Sequence, residues 1–343
     1  MKAFQITQTT RLPENKKPLK KVDVDKPVPS AGEVLLKVHA CGICHTELDE
    51  IEGRTPPPEY PVIPGHQVIG TVVENHGSGE EIREGDRVGV AWINHACGKC
   101  EYCTSGRENL CPDFIATGRD VNGGYAEFMT APEAFVYKIP DFFDDVSAAP
   151  LLCAGAVGYR SLRLTGLRNG QNIGFTGFGA SAHLLIPVVR NHYPDSKIFV
   201  FARNPNEREF AGELGAHWTG DTTATPPEEL HAMIDTTPVW KPVVEALKHL
   251  RPGGRLVINA IRKEDHDKEY LQKLSYHEHL WMEREIKTVA NVTRKDVRDF
   301  LDLAAKAKLN PTVQRFPFEK ANEALLEIKE RKIRGAKVLL MNS

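Results

Sequence analysis

Cys97, Cys100, Cys103 and Cys111 follow a C-x2-C-x2-C-x7-C pattern, and this run limits the possible folds more than any other stretch of the chain. Its spacers Gly98, Lys99, Glu101 and Tyr102 let the backbone turn about an ion. Four thiolates on one divalent ion leave no open coordination position, so the expected role is a structural zinc. Such a metal would staple a lobe too poor in apolar residues to hold itself together. A second ligand set is spread along the sequence. Cys44-His45-Thr46-Glu47 and Gly65-His66-Gln67 offer a thiolate and an imidazole, which suit a borderline-soft ion. Two such ligands invite a third, and Cys153 in Leu151-Leu152-Cys153-Ala154-Gly155 is the candidate, tying a first domain to a second. Three ligands leave one tetrahedral corner for water or substrate, where the ion acts as a Lewis acid. The competing reading makes Cys44 and Cys153 small buried hydrophobes and His66 a loop histidine.

At 343 residues the chain exceeds one ordinary core, so two domains are expected. A formal charge of -2 recommends neither a nucleic-acid nor a membrane partner. Residues 1–20 lack the apolar core of a secretory signal, and no run approaches the roughly 18 apolar residues of a membrane span. The clustering of the cysteines at metal-ligand spacing points to a reducing cytoplasm, with Cys41 as the one of seven thiols left over.

Up to about Asp145, short apolar runs such as 33–38, 70–73 and 86–90 are punctuated by Pro and Gly, predicting an all-β, barrel-like domain. After Pro150 the pattern turns to α/β, with strands expected at 171–176, 197–202, 232–235, 255–261 and 285–292. Gly177-Phe178-Gly179-Ala180-Ser181-Ala182 follows the first of these and precedes an apolar helical stretch, 183–189, in which Pro187 should produce a kink. Glycines there permit close approach to a pyrophosphate, and the helix N-terminus attracts its charge. The second strand ends in Ala202-Arg203 with no carboxylate, which favours a 2'-phosphate and hence NADP(H) over NAD(H). Asn291 joins Gly177, Phe178, Gly179, Ala180, Ser181, Ala202 and Arg203 as a candidate cofactor position. Helices over 296–308 and 318–331 and a strand over 336–340 are read as returning to the first domain.

The order and spacing of these motifs resemble the medium-chain, zinc-dependent alcohol dehydrogenases over essentially the whole length. The resemblance implies a GroES-like β-barrel catalytic domain (1–149 and 293–343), a Rossmann cofactor domain with a doubly wound parallel sheet (150–292), and an active site in the cleft between them. It implies Cys44, His66 and Cys153 as catalytic zinc ligands, Cys97, Cys100, Cys103 and Cys111 as structural ones, and thus two zinc ions per chain. Thr46 matches the hydroxyl that takes the alcohol proton, and His45 a basic position near the cofactor pyrophosphate. Three positions depart from the family pattern. Gln67 replaces a common Glu, Glu47 replaces the Asp that orients the histidine ligand, and Asp49 stands where a histidine often ends the proton relay.

The expected activity is reversible hydride transfer between a primary or secondary alcohol, or its aldehyde or ketone, and NAD(P), in a homodimer or homotetramer. The same fold acting on a polyol, cinnamyl-type or amino-alcohol substrate is the alternative, with Arg54 and Trp92 as pocket candidates. A non-enzymatic, nucleic-acid-binding zinc module is disfavoured because Lys99 and Arg107 are offset by Glu101 and Glu108.

Overall fold

The computed structural model describes every residue except Pro13, Arg331, Ile333, Asn342 and Ser343. The chain divides into two units: Met1–Cys153 with Asn291–Ala305 and Asn310–Ser343, and Ala154–Ala290 with Lys306–Leu309.

The first unit is mainly β. It opens with β1 (Lys2–Gln5), β2 (Lys20–Asp23), β3 (Glu33–Ile43), α1 (His45–Ile51) and β4 (Val68–Asn75). Then come β5 (Arg87–Val90), β6 (Ile93–His95), α2 (Glu101–Thr104), β7 (Ile115–Ala116), β8 (Phe128–Pro132), β9 (Val136–Lys138) and α3 (Asp145–Ala148). Its main sheet runs β16-β17-β3-β4-β5-β9 with β8 also on β3, where β16 (Val313–Pro317) and β17 (Ala336–Leu340) come from the chain's end. Only the β16–β17 pair is parallel.

Strand β3 is central to this sheet. Val34, Leu35, Leu36, Val38, Ala40 and Cys41 are all buried, so the strand reads as a nearly continuous apolar run rather than an alternating one. Cys41 on β3 pairs with Val68 on β4, and the register shifts at Leu35/Leu36 and Val38/Ala40. Cys44 leaves one end of this pair as His66 enters it, so one sheet register brings together two residues from separate loops.

The second unit holds α4 (Ala154–Thr165), β10 (Ile173–Thr176), α5 (Ala180–His192), β11 (Ile198–Phe201), α6 (Pro205–Glu213) and β12 (Trp218–Gly220). It continues through β13 (Leu230–Asp235), α7 (Lys241–Lys248), β14 (Leu250–Ile258) and β15 (Glu285–Thr288). All pairs in the sheet β12-β11-β10-β13-β14-β15 are parallel, and the order reverses beside β10, as in a doubly wound nucleotide fold. Every residue of β10 and β11 is buried, as expected of strands covered on both faces.

Several boundaries differ from the sequence expectation. Strand β12 is an additional strand, because Trp218-Thr219-Gly220 is too short to carry a pattern. The strand expected to reach residue 292 stops at Thr288, and α5 begins earlier, at Ala180, and continues past Pro187 to His192. In the last segment, α8 spans Arg294–Lys306 and α9 Ala321–Lys329, with a single 3-10 turn at Phe318–Lys320 before α9. Arg331, the expected end of the last helix, lies outside the described residues.

The unit boundary falls after Cys153 rather than after residue 149. The 3-10 turn Ala149–Leu152 is fully buried, and a Cβ on Gly89 of β5 would meet the Leu152 side chain at 2.7 Å. This apolar anchoring makes the Cys153 segment part of the β unit. Among the described residues no helix is long and apolar enough to cross a membrane.

Candidate metal centres and dinucleotide turn

Helix α1 begins with a capping box. Cys44 is the N-cap, its sulfur accepts the Thr46 N–H at 3.4 Å, and its own N–H is taken by Glu47 Oε2 at 2.8 Å. The cap fixes the direction of the Cys44 thiol. His66 follows Gly65, whose φ is +100°; a Cβ there would lie 2.3 Å from the Tyr125 ring, so the turn that presents His66 requires glycine.

Cys44 Sγ lies 3.5 Å from His66 Nε2, and that nitrogen lies 3.2 Å from Cys153 Sγ. Tetrahedral zinc with ordinary bond lengths separates sulfur from nitrogen by about 3.6 Å and sulfur from sulfur by about 3.8 Å. The donor set and its dimensions fit that ion. All three ligand atoms lie within 4.8 Å of one another, and all three residues belong to the first unit.

On its other edge the imidazole faces Glu47: Nδ1 is 2.9 Å from Oε1, and both side chains are buried. The carboxylate and the imidazole form a close, buried ionic contact. Burial lowers the His66 pKa, but the charges of Glu47 and Cys44 outweigh it and hold the imidazole well above its ordinary value. The Cys44 thiol is pushed up by its hydrogen bond to Cys153, by burial and by Glu47.

The second cluster comprises Cys97, Cys100, Cys103 and Cys111. Sulfur separations of 4.0 Å (Cys97–Cys103) and 3.8 Å (Cys100–Cys111) match a tetrahedral site. Backbone N–H groups of Lys99 and Cys100 lower the Cys97 thiol to about 7, whereas burial and Cys100 raise Cys103 to about 12. Glu108, just before Cys111, accepts from the Arg294 backbone at 2.7 Å and its guanidinium at 2.6 Å, securing this lobe to the start of α8.

The remaining candidates are dispersed. Thr46 is half-buried and His45 exposed, both on the first turn of α1. Asp49 is buried, and its Oδ1 accepts from Arg54 Nε at 2.5 Å, while Arg54 also pairs with Glu52. Both groups proposed for a relay or a pocket wall are thus engaged with each other. Trp92 lies 6.3 Å from His66 between the rings. Gln67 is buried with its side chain against Gly42.

In the second unit Gly177 has φ +77°, and Gly179 is the extended N-cap of α5 with no side-chain cap, which leaves the first N–H groups of that helix available to an anion. Phe178 is buried edge-on against Phe210 at 5.5 Å, while Ala180 and Ser181 begin the helix. Ala202 is buried and Arg203 exposed. Asn291 has φ +54°, and its buried side-chain Nδ2 has no hydrogen-bond partner among the described residues.

Two further residues bear on these sites. Arg208 donates to the carbonyls of Ala202 at 2.7 Å and Arg203 at 3.0 Å, fixing the strand end from α6. The N-cap Asn204 and Pro205 were the available sequence signal, since a helix starting there turns Arg208 back toward the strand. Glu50 is buried with both carboxylate oxygens unpartnered among the described residues, and burial followed by Glu47 pushes its pKa well up. Periodicity alone gave no sign of it, because a Glu on a short helix reads as solvent-facing.

Residues 30–141 match the family model of the alcohol dehydrogenase GroES-like domain, and residues 214–340 that of a zinc-binding dehydrogenase. A probable alcohol dehydrogenase, AdhA, of Mycobacterium tuberculosis is 41% identical over 99% of this chain and 97% of its own. The chain belongs to the medium-chain, zinc-dependent alcohol dehydrogenase family. It is an oxidoreductase of that family, built from a GroES-like and a Rossmann-like unit. An alcohol dehydrogenase of Geobacillus stearothermophilus is 34% identical over 95% of this chain and 96% of its own. In fold, the chain is similar to the Helicobacter pylori CAD complexed with NADP(H), with TM-score 0.86, 21% identity and coverage of 100% of this chain and 98% of the other.

Proposed function

We propose that Cys44, His66 and Cys153 hold the catalytic zinc of an alcohol dehydrogenase that interconverts primary or secondary alcohols with aldehydes or ketones, using NAD(P). The observation that carries the reading is the convergence of these three side chains from distant stretches, with three protein donors and the dimensions of a tetrahedral ion. Zinc bound there supplies a Lewis acid that makes the alcohol more acidic. Thr46, two residues after Cys44, takes the alcohol proton through its hydroxyl. Glu47 holds the His66 ring by its remote nitrogen and keeps Nε2 directed at the sulfurs. Asp49, held by Arg54, stands beyond Thr46 at the end of the relay. Cys97, Cys100, Cys103 and Cys111 hold a second, structural zinc, giving two per chain.

The dinucleotide pyrophosphate sits on residues 177–181 at the α5 N-terminus. NADP(H) is favoured, because Arg203 is an exposed cation at the strand end, with no ion pair among the described residues, and the strand itself ends in Ala202-Arg203 without a carboxylate. The catalytic role belongs to the unit Met1–Cys153 with Asn291–Ala305 and Asn310–Ser343, and cofactor binding to the unit Ala154–Ala290 with Lys306–Leu309. The outer strand β15 exposes Ile286, and the segment before it exposes Tyr276, Trp281 and Met282, apolar groups beside the sheet edge that support a homodimer or homotetramer. Metal-ligand thiols suit a reducing cytoplasm. The test is metal analysis combined with a panel of alcohols and aldehydes assayed with NAD(H) and NADP(H). No turnover of any member by metal-replete protein would overturn the assignment.

A further inference from the structure

The second unit buries a charged pair that the proposed chemistry does not use. Asp235, the last residue of β13, is fully buried, and Lys263, in the segment after β14, has 8% of its side chain exposed. The Lys263 ammonium donates to Asp235 Oδ2, to the Thr237 carbonyl at 2.7 Å and to the Val239 carbonyl at 3.1 Å. Three acceptors satisfy its three N–H bonds. Asp235 Oδ1 accepts the hydroxyls of Thr176 at 2.6 Å and Thr237 at 2.7 Å. The Thr176 carbonyl accepts both the N–H and the hydroxyl of Thr236 at 3.0 Å.

This network ends at the glycine turn. Thr176 immediately precedes Gly177, and a Cβ on Gly177 would meet Thr237 Cγ2 at 2.8 Å and Thr236 Oγ1 at 3.0 Å. The turn is therefore shaped against the segment that Lys263 grips. The same segment is held at two more points, by Asn259 N–H on the Asp235 carbonyl at 2.7 Å and by Glu264 N–H on the Pro238 carbonyl at 2.6 Å. A buried ion pair usually gives no more net stability than an apolar pair of the same shape, so its distinctive contribution here is geometric.

We propose that Lys263 is a positioning residue for dinucleotide binding: through Asp235 and Thr237 it holds the Thr236–Thr237 backing that sets the Gly177 turn. The proposal rests on reading residues 177–181 as the pyrophosphate site. Lys263→Met should weaken NADPH and NADH binding, followed by fluorescence titration, at least tenfold, while the KM for alcohol at saturating dinucleotide stays within twofold. A residue that only stabilised the fold would lower Tm and leave the dinucleotide Kd unchanged well below melting. Should Lys263→Met not fold, the double variant Lys263→Met/Asp235→Asn, which leaves no uncompensated charge, undergoes the same titration. A parent-like Kd in a folded variant overturns the proposal and leaves the turn's assignment standing. Absence of saturable binding of either dinucleotide to the parent protein overturns that assignment, and the proposal with it.

Discussion

Glu47 Oε1 lies 2.9 Å from His66 Nδ1, across the imidazole from the sulfurs of Cys44 and Cys153, while Glu47 Oε2 accepts the Cys44 backbone N–H at 2.8 Å. One carboxylate thus aligns the helix that carries one candidate ligand and the ring that supplies another. The shorter Asp expected from the family resemblance has one methylene fewer with which to span these two tasks. The extra methylene of Glu47 is what allows the contact to be combined with a capping box.

Glu47→Ala is expected to lower metal affinity at the Cys44 site by about 10- to 100-fold, the usual effect of removing a partner that orients a metal-bound histidine. It should also destabilise the protein by about 1 kcal/mol through loss of the cap. Competition with a graded chelator measures the first effect and thermal melting the second. An unchanged chelator midpoint would mean that the 2.9 Å contact does not tune the site.

The two cysteine clusters should separate by phenotype. Cys153→Ser is expected to abolish turnover with little change in melting, because the three-donor site serves chemistry. Cys103→Ser should lower Tm and reduce bound zinc from two per chain towards one, because a four-thiolate metal contributes folding free energy directly. Loss of activity in both variants with parent-like melting would remove the structural role from the second cluster.

Residue spacing made the candidate metal ligands legible in the sequence, because ligand chemistry tolerates few substitutes and its motifs are local. The four clustered cysteines and the Gly177 turn are each contained in one stretch, and the structure builds each where it is written. The shared end of the β3–β4 pair, which unites Cys44 with His66, depends on a register that no short pattern encodes. Contacts made only by tertiary folding were out of reach. Lys263 on Asp235 joins a long side chain to a group whose neighbours are set by topology. Strand β12 was missed because three residues cannot display a period.

Cofactor preference should respond to Arg203. An exposed guanidinium at the strand end can make a charge-assisted contact to a 2'-phosphate worth roughly 1.5 to 3 kcal/mol, or about ten- to more than a hundredfold in affinity. Arg203→Ala should therefore raise the KM for NADP(H) at least tenfold and leave NAD(H) nearly unaffected. Ala202 is buried, so a carboxylate introduced there would also carry a desolvation cost, which makes the arginine truncation the cleaner kinetic test. Equal loss with both dinucleotides would show that Arg203 does not read the 2' position.

Acid should loosen the segment that delivers Cys153. Asp145, the first residue of α3, lies 3.1 Å from His39 Nδ1 and 3.3 Å from Arg87 Nη1. The His39 hydrogen bond, acting against burial and joined by the charges of His39 and Arg87, holds its carboxyl below the usual range. A carboxyl whose folded pKa is depressed contributes stability above its unfolded pKa of about 3.9 and loses it as pH falls through the folded value. With 32% of the side chain exposed, solvent screening limits that contribution to about 1 kcal/mol. Asp145→Asn should therefore melt below the parent at pH 7, and the gap should narrow as pH drops below about 4 and both forms become neutral. Melting curves of the two proteins between pH 3 and pH 7 decide the matter: a gap that stays constant would assign the loss to packing rather than to the charge on Asp145.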